Sequence, residues 1–194
     1  MPIFKRIVVL LNLIRLFPQF FVFLYKKELC SDDVRRALSL HRVDCSINWG
    51  FCYLMVFDKT FRNLFYWRVG KIKYLLWYWM PPHNSFTIAT YMKVGKGFLG
   101  IHPIGTFVNA DAIGDNFTVK NSVTIGNSTL GRPTIGDNVE INANSVVVGK
   151  IKIGNNVVVG AGTVLMKNVP DDCVVVGNPA YILKRNGVRV NEQL

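Results

Sequence analysis

An apolar residue recurs every six positions between residues 101 and 165. It stands at Ile101, Phe107, Ile113, Val119 and Ile125, then, after one break, at Ile135, Ile141, Val147, Ile153, Val159 and Leu165. A small or apolar residue usually follows four places on, as at Phe117, Val123, Thr129, Val139, Ser145, Ile151, Val157, Thr163 and Val169. Glycine often comes directly after the period residue, as in Ile113-Gly114, Ile125-Gly126, Ile135-Gly136, Ile153-Gly154 and Val159-Gly160. A fixed six-residue period predicts a solenoid of short parallel strands, each hexad giving one strand and one turn. A helix needs a period near 3.6, which this stretch lacks. If three hexads close a coil, the inward positions stack in three columns. These are Ile101, Val119, Ile141, Val159; then Phe107, Ile125, Val147, Leu165; then Ile113, Ile135, Ile153. Coils so stacked lie about 4.8 Å apart. The same arithmetic puts Ala143 against Ala161 and sets His102 on their edge. The step from Ile125 to Ile135 exceeds a hexad by four residues, so the chain must bulge out near residues 127–133. Excursions from a regular scaffold are common places for function.

The first hundred residues follow no such period. Residues 3–25 are almost continuously apolar, but Asn12, Arg15, Pro18 and Gln19 interrupt them, and no small-residue cleavage site follows. The uninterrupted runs are far shorter than the roughly 20 residues of a membrane span. The expectation is an interfacial helix on a membrane surface, kinked or ended at Pro18, with packing in a trimer cap as the bland alternative. Ser31-Asp32-Asp33 predicts a helix N-cap with acids in the first turn, the helix ending near Leu40 with His41 at its C-terminus. Residues 61–80 interleave aromatic and basic side chains, predicting one helix ended by Pro81-Pro82, with His83 in the following turn. That composition suits a membrane interface or a core helix with a basic outer face.

Charge sharpens this division. Residues 1–98 carry fifteen Lys/Arg against five Asp/Glu, whereas residues 99–194 carry eight against seven, so the net +11 belongs to the N-terminal half. The nearly neutral repeat offers no groove for a phosphate backbone, and no nucleic-acid partner is expected. The four cysteines, Cys30, Cys45, Cys52 and Cys173, lack metal-ligand spacing and read as reduced thiols of a cytosolic protein, with no metal site. The expected organisation is a helical region at 1–87, a β-helix at 88–180 and a tail at 181–194.

Several motifs over roughly residues 88–186 carry a resemblance. They are Val94-Gly95-Lys96-Gly97-Phe98 leading into Ile101-His102-Pro103 and Gly105, then Ser122-Val123-Thr124-Ile125-Gly126. Gly160-Ala161-Gly162-Thr163-Val164, Asn168-Val169-Pro170 and Gly177-Asn178-Pro179-Ala180 close the series. With the repeat, these resemble the hexapeptide-repeat acyltransferases, in their serine acetyltransferase-like and polysaccharide O-acetyltransferase branch. The resemblance implies a mainly β fold, a left-handed parallel β-helix behind a basic, aromatic-rich helical segment. It also implies a homotrimer, or a dimer of trimers, with acetyl-CoA in grooves between subunits. The catalytic histidine falls on His102, as general base for an acceptor hydroxyl, with backbone N–H groups facing the developing oxyanion. Cofactor positions fall on Gly126, Ala143, Ala161, Lys167 and Lys184, and a substrate-contacting arginine falls on Arg132.

The departures bear on the acceptor. Serine acetyltransferases have a carboxylate where Ile101 stands, a second histidine where Pro133 follows Arg132, and a further acid near Thr87. Most groups that hold free serine are therefore absent. Asp111 and Asp115 do not fall beside His102 by hexad position. The expected activity is O-acetylation of a sugar hydroxyl in surface or capsular polysaccharide synthesis, at the inner face of the cytoplasmic membrane. Serine O-acetylation, amino-sugar N-acetylation and a non-enzymatic β-helix scaffold are the alternatives.

Overall fold

The computed structural model describes residues 2–82 and 85–194, which form two units divided after residue 84. His83 lies outside the described residues.

The second unit is a left-handed parallel β-helix. Three stacked sheets give its coils three sides. The first face holds β1 (Phe86–Ile88), β4 (Thr106–Val108), β7 (Thr124–Gly126), β10 (Val146–Val148) and β13 (Val164–Leu165). The second holds β2 (Lys93–Val94), β5 (Ala112–Ile113), β8 (Thr134–Ile135) and β11 (Lys152–Ile153). The third holds β3 (Leu99–Gly100), β6 (Thr118–Val119), β9 (Glu140–Ile141), β12 (Val158–Val159) and β14 (Cys173–Val176). It continues antiparallel into β15 (Tyr181–Arg185) and β16 (Val188–Gln193), so the expected tail is a hairpin added to this face.

The inward columns are buried as the hexads require, with one shift. Ile125, Val147 and Leu165 pair in register, as do Ile113, Ile135 and Ile153, and Val119, Ile141 and Val159. Gly100 rather than Ile101 pairs with Val119, and Val108 rather than Phe107 pairs with Ile125. Phe107 is 42% exposed. The cause is the His102-Pro103 step. Eight residues separate Gly100 from Val108 and five separate Val108 from Ile113, so the six-residue frame slips and then recovers.

The corners explain the polar part of the repeat. Between the second and third faces, each Asp or Asn after an Ile-Gly pair accepts a backbone bond from the coil before. Lys96 N bonds Asp115 Oδ1, Asp115 N bonds Asp137 Oδ1, Asp137 N bonds Asn155 Oδ1 and Asn155 N bonds Asp171 Oδ1, at 2.7–2.8 Å. The next residue is left-handed (Asn116, Asn138, Asn156, Asp172, φ 56–57°), a conformation that Asn and Asp tolerate. Their side chains form a second ladder at 2.9–3.0 Å. Glycine precedes the first three pairs because the next coil's carboxyl or amide oxygen occupies the space of a Cβ, whereas Pro170 precedes Asp171-Asp172 in the last coil.

The first unit is helical: α1 (Ile3–Leu11), α2 (Leu13–Tyr25), α3 (Lys27–Leu40), α4 (Ile47–Phe57), α5 (Lys59–Val69) and α6 (Lys73–Leu76). Phe23 stacks on Phe51 at 4.1 Å, and Phe51 meets Phe65 edge-on at 4.9 Å. Three sequence expectations are corrected. The break in residues 3–25 falls at Asn12, whose side chain donates to the Val8 carbonyl at 2.8 Å, while α2 carries Pro18 inside it. Ser31 is not an N-cap; α3 begins one turn earlier, and Ser31 Oγ donates back to the Lys27 carbonyl. Residues 61–80 are not one helix, because Gly70 ends α5 at φ 69°. His41 does close α3, and its ring pairs with Asp58 at 2.9 Å.

Candidate active site

His102 sits in the extra loop between the third and first faces. Its φ is +47°, a left-handed conformation that histidine adopts more readily than most residues. The loop is pinned by backbone bonds. Ile104 N meets the His102 carbonyl at 2.6 Å, Gly105 N the Ser85 carbonyl at 2.8 Å, and Ser122 N the Ile104 carbonyl at 2.9 Å. The imidazole is exposed, and its ring makes no hydrogen bond or ion pair among the described residues. Asp111 and Asp115 lie at other corners, as the hexad arithmetic required.

Along the same edge, Gly105, Ser122, Asn144 and Gly162 share positive φ of 54–70°. Gly162 N donates to the Ala143 carbonyl at 2.9 Å, so Ala143 and Ala161 stack on successive coils at the edge that carries His102. Hydroxyls beneath are satisfied internally: Ser145 Oγ and Thr163 Oγ1 donate to the Gly160 carbonyl at 2.8 and 2.7 Å. Small side chains over a satisfied backbone leave a shallow, close-approach surface beside the histidine.

Gly126, Arg132 and Lys167 lie at the far end of the first face. Gly126 ends β7, and Lys167 follows β13 with its amine bonded to the Leu194 carbonyl. Six residues separate Asn121, on the His102 edge, from Asn127, roughly 20 Å of extended chain. Within one chain, the structure does not bring these residues to His102. Lys184 lies on the third face, in register with Val174 and away from the Ala161 end of that sheet. Gly126 differs from the corner glycines. A methyl group there would meet only Val148 Cγ1, at 3.8 Å, and no positive φ demands glycine. Its smallness therefore serves nothing within the chain and fits close approach by an outside group.

Residues 127–133 do bulge out. Ser128 N bonds the Gly131 carbonyl at 2.9 Å, and the excursion walls an open polar cleft of about 500 Å³. Arg132 Nε donates to Asp111 Oδ1 at 2.6 Å, and its guanidinium lies 4.5 Å from the Tyr91 ring centre. The Tyr91 hydroxyl donates to Asn109 Oδ1 at 3.1 Å, and Lys150 completes the wall. The Asp111 carboxylate, then Tyr91, raises the pKa of Arg132 and holds its charge more firmly. Sequence reading missed Tyr91, Asn109 and Lys150 and gave Asp111 no role here. Asp111 was reachable: a coil lengthened by four residues spans 22, which sets Asp111 beside Pro133, and Asp111 N does bond the Pro133 carbonyl at 2.9 Å.

Residues 132–167 match the bacterial transferase hexapeptide (six repeats) family. A serine acetyltransferase of Staphylococcus aureus is 42% identical over 105 residues, covering 52% of this chain and 49% of the relative. A putative colanic acid biosynthesis acetyltransferase, WcaB, of Escherichia coli is 39% identical over 102 residues, covering 50% and 63%. Among solved structures, serine acetyltransferase of Neisseria gonorrhoeae superposes with a TM-score of 0.66 at 26% identity, covering 82% of this chain and 65% of that one. The chain thus spans about half the length of the curated serine acetyltransferases it matches. The resemblance to hexapeptide-repeat acyltransferases read from the sequence is borne out.

Proposed function

We propose that this chain is an acetyl-CoA-dependent O-acetyltransferase acting on a sugar hydroxyl in surface or capsular polysaccharide synthesis. Acetyl-CoA supplies an activated acyl group as a thioester. His102 takes the proton of the acceptor hydroxyl as that oxygen bonds to the acetyl carbon. The carbon–sulfur bond breaks, and the imidazolium returns its proton to the departing thiolate. Ala143, Ala161 and Gly126 leave room for close approach of the cofactor, and the amine of Lys167 suits its phosphates, whereas Lys184, on the third face, lies off both of these edges.

His102, Ala143 and Ala161 occupy one edge, while Gly126, Arg132 and Lys167 occupy the other. This division supports a site assembled from one edge of each of two chains, as in a homotrimer or a dimer of trimers. The reaction is assigned to the cytoplasm, at the inner face of its membrane, where lipid-linked acceptors would be met.

The observation that carries the acceptor class is the Arg132–Asp111 pair at 2.6 Å. A guanidinium already matched by a carboxylate gains little from the carboxylate of free serine, whereas a neutral polyhydroxyl ligand leaves the pair intact. Serine O-acetylation is the second reading, favoured by the 42% identical serine acetyltransferases. Thiol release from acetyl-CoA with L-serine, nucleotide sugars and lipid-linked glycans separates the two. Rapid turnover with L-serine alone overturns the sugar assignment. His102→Ala should lower transfer about 10²–10⁴-fold with the fold intact; near-wild-type turnover would refute the mechanism.

A further inference from the structure

We propose that α1, α2 and the aromatic turn at residues 74–79 form a bent apolar wedge that enters one leaflet of a bilayer bearing anionic headgroups. A surface helix of a soluble domain is apolar on one side only. Here both sides are apolar. Val9, Leu16 and Phe23, seven residues apart, are buried within the unit. The other side presents Ile3, Ile7, Leu10, Ile14, Phe17, Phe21 and Leu24, spaced four and three residues apart in turn, all exposed; Ile14 is 82%, Phe17 69% and Phe21 68% accessible.

Three further features identify the occupant. Residues 1–27 contain five Lys/Arg and no acid, and Arg6, Arg15, Lys26 and Lys27 are exposed. Basic side chains beside an apolar face are attracted to anionic lipid. Gln19 Nε2 donates to the Leu76 carbonyl at 3.1 Å and Arg15 to the Trp79 carbonyl at 3.0 Å, tying to α2 a turn that exposes Tyr74, Leu75, Tyr78 and Trp79. Tyr and Trp favour the headgroup boundary, where one end is apolar and the other wet. Finally, an apolar groove of about 380 Å³ between α2 and α4, walled by Leu13, Phe17, Phe20 and Trp49, opens beside the stripe and suits an acyl chain.

The geometry also fixes the depth. No single helix among the described residues is long and apolar enough to cross a membrane, and α1 and α2 diverge by 82°. Their 9 and 13 residues extend only about 13 and 20 Å against a hydrocarbon core of about 30 Å. The bend equally disfavours a second copy as the occupant. Each arm is too short for a coiled-coil seam of three or more heptads, and pairing would set cations against cations.

This inference does not depend on acetyl transfer. All four tryptophans (Trp49, Trp67, Trp77 and Trp79) lie in this unit, so its fluorescence reports insertion without labelling. The full chain is mixed with phosphatidylcholine vesicles with and without phosphatidylglycerol, using lipids brominated near the headgroup or at the chain end. Flotation only with phosphatidylglycerol, and stronger quenching by the shallow bromines, is the expected result. The exposed double variant Phe17→Glu, Phe21→Glu should float at least tenfold less while its CoA affinity and circular dichroism stay unchanged. Absence of flotation, equal flotation of the variant, or dissociation of an oligomer with flotation unaltered would each overturn the proposal.

Discussion

Gly114 is the sharpest test of how the coils hold together. A methyl group at this position falls 2.1 Å from Asp137 Oδ1, 2.7 Å from the Gly136 carbonyl carbon and 2.8 Å from Asp137 N. A side chain can swing away, but backbone cannot, so Gly114→Ala forces two coils apart or rotates one. Overpacking of this kind costs about 1–3 kcal/mol. Displacing the Asp137 carboxylate also breaks its 2.7 Å bond from Asp115 N, a charge-assisted bond worth about 1.5–3 kcal/mol. The sum is about 2.5–6 kcal/mol, a fall in midpoint temperature of about 5–24 °C for a chain of this size. Two optical signals separate the units. Tryptophan fluorescence follows the helical unit alone, while far-ultraviolet circular dichroism also follows the β-helix. Gly114→Ala should lower the β-helix transition and leave the tryptophan transition in place. Gly126→Ala is the control: its methyl makes only a 3.8 Å contact, so stability should move by less than about 0.5 kcal/mol. CoA affinity should nonetheless fall about tenfold, the equivalent of about 1.4 kcal/mol. A Gly114→Ala protein as stable as the parent would refute the account of the ladder.

Three other outcomes follow from individual side chains. Asp33→Ala removes the carboxylate from the buried Arg68, paired at 2.8 Å, and should destabilise the helical unit by about 3–5 kcal/mol, read from the tryptophan urea midpoint. Burial, then Asp33, pushes the Cys30 thiol up to about 12, and burial pushes Cys52 to about 11. The unfolded chain therefore loses these protons first, so their contribution is full below pH 9.0 and is lost as pH rises towards 12; the Cys30→Ala, Cys52→Ala protein should show a smaller alkaline fall, the remainder coming from Tyr66, whose pKa burial also raises. Asp111→Asn withdraws the charge matching Arg132 and should lower the KM for L-serine while raising that for a sugar acceptor; unchanged values would remove the acceptor argument.

Most of the β-helix was legible because one inward residue per hexad must be apolar, and coil stacking turns that requirement into a count. Ile113, Ile135 and Ile153 fell where counting put them. Ile101 and Phe107 did not, since both are apolar and satisfy the period, yet the His102-Pro103 insertion slips the frame beneath them. A hydrophobic pattern cannot register a two-residue slip when apolar residues flank both frames. The helical unit was less legible because tertiary bonds decided its breaks. Asn12 outcompeted Pro18 through a side-chain bond to Val8, and Ser31 bonded backwards instead of capping. Of the site, His102 and the Ala143–Ala161 stack were visible, whereas the Tyr91–Arg132–Asp111 cluster required counting through the irregular coil.

The three corners divide structure from chemistry. At the corner between the second and third faces, each Asp or Asn is bonded to the next coil, and each glycine is filled by its neighbour. A corner that satisfies its own polar groups has little left for a ligand, and it keeps the six-residue period. The period fails at the other two corners, by two residues at His102-Pro103 and by four at residues 127–133. Each insertion buries a proline, Pro103 or Pro133, but leaves its larger apolar side chain, Ile104 or Leu130, exposed, so core packing accounts for little of either. Both also place polar groups outward: an exposed imidazole at one, and an arginine locked to an aspartate at the other. Departure from a local rule without a packing return is where function is expected in a regular scaffold. A three-sided coil carries these two corners at opposite ends of one face. For His102 to act on a ligand held at the Arg132 cleft, the two corners must therefore come from different chains. The oligomer is then a condition of catalysis in this reading, and dilution below the dissociation constant should abolish transfer while leaving each chain folded.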